Sequence, residues 1–297
     1  MPNDPWDRLH RARDARVGET GDLWHRALID PTLCRVLGPV RGLRVLEVAC
    51  GNGYLARRFA RDGAAEVVGV DRSPVAIRLA ARRGRAAGSS ARFEVGEATR
   101  LRFAAGSFDL VVANMALMDI RDADRAISEA ARVLAPGGRL VFSINHPCFD
   151  IDGRSTWAVE QEMGPDGRPA TTVFRKVSGY RRERSVRVPW DVGPREVVRT
   201  PAYHRTLGTY SRYLRSAGFA IVRLEEPMPE AEMLAESPQG RYLAEVPLHL
   251  VVESQRLPVK PASRTPERSR PAVARRSGSG AGTGGTGSRR RGSRSGS

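Results

Sequence analysis

A chain of 297 residues, 40% of them hydrophobic, can bury one large core or two small ones. No apolar stretch reaches the length of a membrane span, and residues 1–10 are too polar and acidic for a secretory signal; Cys34, Cys50 and Cys148 lack disulfide or zinc spacing, so a reducing cytoplasm is expected. The net charge of +16 suggests a nucleic-acid binder until it is located: residues 258–297 carry ten Lys and Arg against one acid, Glu267, and hence nine of those charges.

The first forty residues are polar and helix-tolerant, with Trp6, Trp24, His25 and a break at Asp30-Pro31. They read as a cap over 1–40 of one or two short helices, with Pro31 opening a new helical turn. The stretch L-R-V-L-E-V-A-C-G-N-G-Y from Leu43 to Tyr54 follows. Residues 45–49 have the length and β-branched content of a strand buried on both faces, as in a parallel sheet. Glu47 is out of place there, because a buried carboxylate is costly unless a protein donor or a ligand pairs with it. Gly51 and Gly53 remove side chains where the chain turns into a helix near Tyr54, so a ligand can lie flat against exposed amides. Gly51 to Ala56 also matches G-x-G-x-x-A, and Asp71 ends a second strand over 66–71. That combination is compatible with a nicotinamide dinucleotide site.

Glu47, four residues before the first glycine, completes E-x-x-C-G-x-G, which resembles the first motif of the class I S-adenosylmethionine-dependent methyltransferases. The resemblance implies an α/β, Rossmann-like sheet of seven strands in the order 3-2-1-4-5-7-6, strand 7 antiparallel, with helices on both faces. It implies that Glu47 contacts the amino-acid part of S-adenosylmethionine and that Cys50, Gly51 and Gly53 line it. Asp71 would accept from the ribose hydroxyls, or else cap the helix that begins at Ser73-Pro74. The N-terminal helices would lie over the cofactor, making Trp24 and His25 in G-D-L-W-H-R lid residues, or they simply pack the cap onto the domain.

An arginine-rich helix over 75–85 precedes a third strand over 91–95 and the turn Gly96-Glu97-Ala98. By resemblance Glu97 accepts from the adenine amino group and Ala98 offers a backbone amide to the ring, although the family more often has aspartate; a solvated loop glutamate is the alternative. Residues 108–114 form a fourth strand. The loop Asn114-Met115-Ala116-Leu117 would hang over the methyl group, with Asn114 at the cofactor. It lacks the two prolines and aromatic usual in base N-methyltransferases, which argues against that activity. An amphipathic helix over 119–134 leads to the turn Pro136-Gly137-Gly138 and a fifth strand over 139–144. That turn is a second hallmark of the family, and a dehydrogenase has no need of it.

His146-Pro147-Cys148-Phe149 closes the fifth strand. His146 can take or steer a proton near neutral pH and is the candidate catalytic base, or it bonds loop backbone. Cys148 is a nucleophile by analogy with RNA cytosine methyltransferases, or a buried thiol. Residues 150–201 break the alternation and read as an inserted lid of short antiparallel strands, with Trp157 among its aromatic walls. A helix is expected to start at Tyr203-His204-Arg205-Thr206 and run to Gly218. H-R-T-L, the tyrosine helix, G-F and E-E-P resemble bacterial small-molecule methyltransferases of the type 11 kind. Tyr203 or His204 could then face the acceptor, while Thr206 or Thr209 caps the helix. Strands over 219–224 and 247–254 complete the sheet, His249 being a sheet residue, and 227–245 is too poor in apolar residues for a long helix.

The expected organisation is a cap over 1–40, a methyltransferase domain over 41–257 with its lid at 150–201, and a disordered basic Ser/Gly/Arg-rich tail over 258–297. The expected activity is S-adenosylmethionine-dependent methyl transfer to a small-molecule acceptor, without a metal or a membrane partner. The alternatives are an RNA methyltransferase assisted by the basic tail and an NAD(P)-dependent oxidoreductase.

Overall fold

Apolar runs whose successive residues are all hydrophobic demand a sheet covered on both faces. The computed structural model, which describes residues 4–151 and 153–258, contains such a sheet. Its strands are β1 (Arg44–Val48), β2 (Glu66–Asp71), β3 (Arg92–Val95), β4 (Phe108–Ala113) and β5 (Leu134–Asn145). Four further strands form two separate hairpins: β6 (Ser155–Met163) with β7 (Pro169–Val177), and β8 (Arg184–Gly193) with β9 (Glu196–His204). Strands β10 (Phe219–Glu225) and β11 (His249–Arg256) rejoin the main sheet. The order is β3-β2-β1-β4-β5-β11-β10, with β11 antiparallel to both neighbours, which is the expected Rossmann-like methyltransferase arrangement.

The helices are α1 (Pro5–Val17), α2 (Asp30–Leu37), α3 (Tyr54–Arg61), α4 (Pro74–Ala86), α5 (Ala123–Val133), α6 (Leu207–Ser216) and two six-residue pieces, α7 (Ala231–Glu236) and α8 (Gly240–Glu245). A π-helical turn, His25–Ile29, runs into α2. Strand alternation divides the core. Leu46, Val111, Phe142 and Val252 pack with α5 and α6 on one face, while Val45, Val112, Val141 and Val251 pack with α2 and α3 on the other. Every inner strand is therefore spent on packing, and only its carboxyl end is left for chemistry.

Three local expectations are corrected. The helix after β4 starts at Ala123 rather than 119, because Leu117–Asp119 forms a 3₁₀ turn and the chain stays extended at Ile120. Pro136-Gly137-Gly138 lies inside β5, where a register shift against β4 and a positive φ of 76° at Gly137 make it an irregularity of one long strand. Tyr203 and His204 continue β9, paired with Ser185 and Arg184, and α6 begins only after Thr206, whose hydroxyl accepts from Thr209 N. The 258–297 reading lies, apart from Pro258, outside the described residues.

Candidate active site

A cavity of about 480 Å³ opens above the carboxyl ends of β1, β2, β4 and β5, within the size range of small-molecule sites. Its floor is the β1–α3 turn. Ala49 adopts a φ of 53° and Met115, after β4, one of 48°, so two non-glycine residues hold the left-handed conformation at the rim of one cavity. Backbone held in that sparsely populated region is typical of functional sites. Gly51 has φ 55° and its missing side chain faces His10 of α1, whose Cε1 would lie 3.5 Å from a Cβ.

Glu47 is buried beneath this turn, where one oxygen meets the Ala56 amide and the other, Oε2, has no hydrogen-bond partner among the described residues. Burial pushes its carboxyl up to about 8. Asp71 accepts from Gly51 N at 3.0 Å through Oδ2 and from Ser73 N at 2.8 Å through Oδ1, so it braces both the glycine turn and the start of α4. Asn114 belongs to a buried network: its Nδ2 donates to Asp30 Oδ1 and to the Tyr54 hydroxyl, and its Oδ1 accepts from Ser143 Oγ. Burial raises the Asp30 carboxyl within that network.

Helix α1 and the β8–β9 hairpin form the roof, contributing Trp6, Leu9, His10 and Arg13 from the helix and Val188, Trp190 and Ala202 from the hairpin. Asp14 fastens α1 down: it accepts from Arg83 Nε at 2.8 Å and from Asn52 Nδ2 in the glycine turn at 3.2 Å. Arg13 stands over the Trp190 ring, 4.7 Å from its centroid, and pairs with Asp22. Asp22 also accepts from His25 Nδ1 at 2.7 Å. Burial alone would raise the Asp22 carboxyl, but His25 and Arg13 together hold it below the usual carboxylate range.

Of the residues singled out from sequence, Trp24, His25, Glu47, Cys50, Gly51, Asp71, Asn114, Tyr203 and His204 line this cavity. Gly53 does not; its φ of 73° and the Phe93 ring, 2.3 Å from where a Cβ would stand, give it a packing task. Glu97 and Ala98 lie outside the lining, but Glu97 pairs at 3.7 Å with Arg72, which lines it. Trp157 is turned away onto Tyr242, 5.4 Å between ring centroids, and Arg175. His146 is not in the lining either. Its Nδ1 accepts from Cys148 N and its Nε2 faces Glu226 at 3.1 Å, so both ring nitrogens are engaged, and burial lowers its pKa.

Sequence reasoning missed Arg13, Asp22 and His249 at this cavity. His249, at the start of β11 beside Asn145, lies against Trp24 with ring centroids 5.7 Å apart and planes tilted by 52°, and its buried Nδ1 has no hydrogen-bond partner among the described residues. Burial brings it down to about 3, so it is neutral at physiological pH. The available signals were the Asp22-His25 spacing, three residues apart at a helix start, and a histidine heading an otherwise apolar strand.

An open α/β sheet that presents acids from two adjacent strands to a glycine turn defines a nucleoside-binding, Rossmann-like protein. Residues 45–138 match the family model described as a methyltransferase domain. A solved S-adenosylmethionine dependent methyltransferase from Mesorhizobium loti is 30% identical, superposes with a TM-score of 0.58, and covers 76% of this chain and 96% of its own. A demethylmenaquinone methyltransferase of Renibacterium salmoninarum is 35% identical over 127 residues, 42% of this chain and 49% of its own. A ubiquinone biosynthesis O-methyltransferase of Rhizobium etli is 32% identical over 142 residues, 48% of this chain and 55% of its own. The chain spans about half the length of the curated relatives it matches. It belongs to the S-adenosylmethionine-dependent methyltransferases, and S-adenosylmethionine is its cofactor.

Proposed function

We propose that the chain transfers the methyl group of S-adenosylmethionine to a small-molecule acceptor that enters beneath α1 and the β8–β9 hairpin. The roofed, aromatic-walled cavity carries this reading. Its flat apolar surfaces suit a compact ligand, and the names of the two curated relatives, which refer to demethylmenaquinone and to ubiquinone biosynthesis, support the same class. Among the described residues no helix is long and apolar enough to cross a membrane.

The residues present suit the cofactor. The unpartnered Oε2 of Glu47 calls for a cationic donor, which the ammonium of the methionine part provides. Cys50 and Gly51 leave the turn open to its chain, Asp71 retains lone pairs for the ribose hydroxyls, and Asn114 closes the methyl end. Glu97 reaches the adenine edge once Arg72 releases it. When bound, the sulfonium supplies an electrophilic methyl group, and the protein's part is alignment, exclusion of water and handling of the acceptor's proton. His146 contributes as a brace for the loop after β5 in this reading, because neither ring nitrogen is available to an acceptor.

Calorimetric titration with S-adenosylhomocysteine, repeated on Asp71→Ala, tests the cofactor site: binding by the wild type and at least tenfold weaker binding by the variant are expected. Methyl-labelled cofactor offered alongside a low-molecular-mass extract and total RNA tests the acceptor class. Label in the small-molecule fraction supports the reading, and label confined to RNA sinks it.

A further inference from the structure

We infer that His25, oriented by Asp22, takes the proton from the methyl acceptor, and that the acceptor is an aromatic hydroxyl. This rests on the small-molecule reading and goes beyond it by naming the acceptor class and the base.

Three observations converge. Gly21, with φ 86°, turns the chain so tightly that a Cβ there would lie 2.7 Å from that of His25. Asp22 therefore stands one residue after the turn, where it caps the backbone of His25 at 3.2 Å and accepts from its Nδ1 at 2.7 Å. With Nδ1 committed as donor, the lone pair of the neutral ring belongs to Nε2, which has no protein partner among the described residues, and His25 lines the cavity. This is the arrangement by which a carboxylate fixes the tautomer of a general base. Second, Trp24 follows the same turn and sets its ring against that of His249, 5.7 Å between centroids, and all three of His25, Trp24 and His249 line the same cavity. His249 Nδ1 is buried in the lining without a hydrogen-bond partner among the described residues, which calls for a second polar atom on the ligand. Third, the remaining walls here include Trp190, Tyr203 and Met115, flat or pliable apolar groups suited to a ring.

The groups around His25 are each paired or neutral. Asp22 is held by Arg13 of α1, Asp30 of α2 is bonded by Tyr54 and Asn114, and His249 of β11 is neutral. A neutral aromatic amine attacks with a lone pair it already has, whereas a neutral hydroxyl must shed its proton. In the step, that proton passes from the acceptor oxygen to His25 Nε2, and an oxygen electron pair forms the new bond to the methyl carbon. The carbon–sulfur bond breaks with its pair remaining on sulfur, and the imidazolium returns its proton to solvent.

The test uses the full chain, methyl-labelled S-adenosylmethionine and three probes: catechol, 4-nitrocatechol, which is largely ionised at pH 8, and 1,2-diaminobenzene. His25→Asn should lower kcat on catechol about 10²–10⁴-fold and on 4-nitrocatechol far less, with S-adenosylhomocysteine affinity retained. The acidic limb of the catechol pH profile should vanish with it. Asp22→Asn, measured by the same ratio of probes, should lose less and shift that limb. Equal losses on both hydroxyl probes, transfer only to the diamine, or transfer to neither while S-adenosylhomocysteine still binds would each overturn the inference. The small-molecule reading falls separately, by label appearing in RNA.

Discussion

Glu47 and His249 are two buried titratable residues whose protonation is set by the protein. On the proposed binding mode, the Glu47 carboxyl must ionise to meet an ammonium group, yet burial keeps it protonated up to about pH 8. Ligand binding therefore expels a proton below that pH. S-adenosylhomocysteine affinity should rise as pH increases from 6 to 8, by up to about tenfold per unit, and Glu47→Gln should flatten the dependence. Calorimetry in buffers of different ionisation enthalpy counts the proton directly. His249 works in the opposite sense. Its folded pKa of about 3 lies below the ordinary 6.5, so the unfolded chain binds more protons in that window and stability falls as pH drops through it. His249→Gln should reduce the loss in Tm between pH 6.5 and 4.5, read by thermal denaturation. At this scale the sequence was only partly legible. Glu47 stood out because a charge inside an apolar run breaks a local pattern. Asp22 and Arg13 did not, since their pairing and the seating of Arg13 over Trp190 depend on how α1 meets a hairpin distant in sequence.

At the scale of elements, the β1–α3 turn illustrates how two glycines of one motif do different work. Gly51 faces the cavity, whereas Gly53 accommodates Phe93 of β3 and closes α3 against the sheet. Gly53→Ala should cost about 2–4 kcal/mol, combining left-handed strain with overpacking, and should show as a lower midpoint in urea. Helix α1 depends on a polar clamp instead, because only Leu9 and Asp14 along it are buried. Asp14→Asn should weaken the ion pair with Arg83 by about 1–3 kcal/mol and loosen S-adenosylhomocysteine binding, with faster amide exchange confined to α1. The strands and the glycine turn were readable because period and composition are local properties. Tyr203 and His204 were misread as a helix start because nothing local reveals that β8 supplies partners for them through Ser185 and Arg184. Pro136-Gly137-Gly138 was misread as a turn for a related reason: turn residues also mark strand irregularities.

Across the whole molecule, charge and fold are separable in sequence. Nine of the sixteen net positive charges follow residue 257, in a segment whose Ser, Gly, Pro and Arg composition contributes little apolar area. A chain ending at Pro258 should keep its Tm and its affinity for S-adenosylhomocysteine while losing much of its retention on a polyanion column, with a shallower salt dependence. Equal retention would assign the polyanion affinity to the arginines of the folded residues. The same separation explains why the fold was legible and the acceptor was not. The proposed nucleotide-type site takes its residues from strand ends and turns that local patterns reveal, whereas the proposed acceptor pocket gathers side chains from α1, the turn before α2, β9 and β11.

The clamp of Asp14 onto both Arg83 and Asn52 gives the enzyme a clock. On the proposed binding mode, a nucleoside seated on the glycine turn lies beneath the helix that Asp14 ties to that turn, so its release is expected to follow the opening of that tie. The dwell time of product is then written into one short helix near the amino terminus. Turnover can be retuned there without touching a group that meets the methyl.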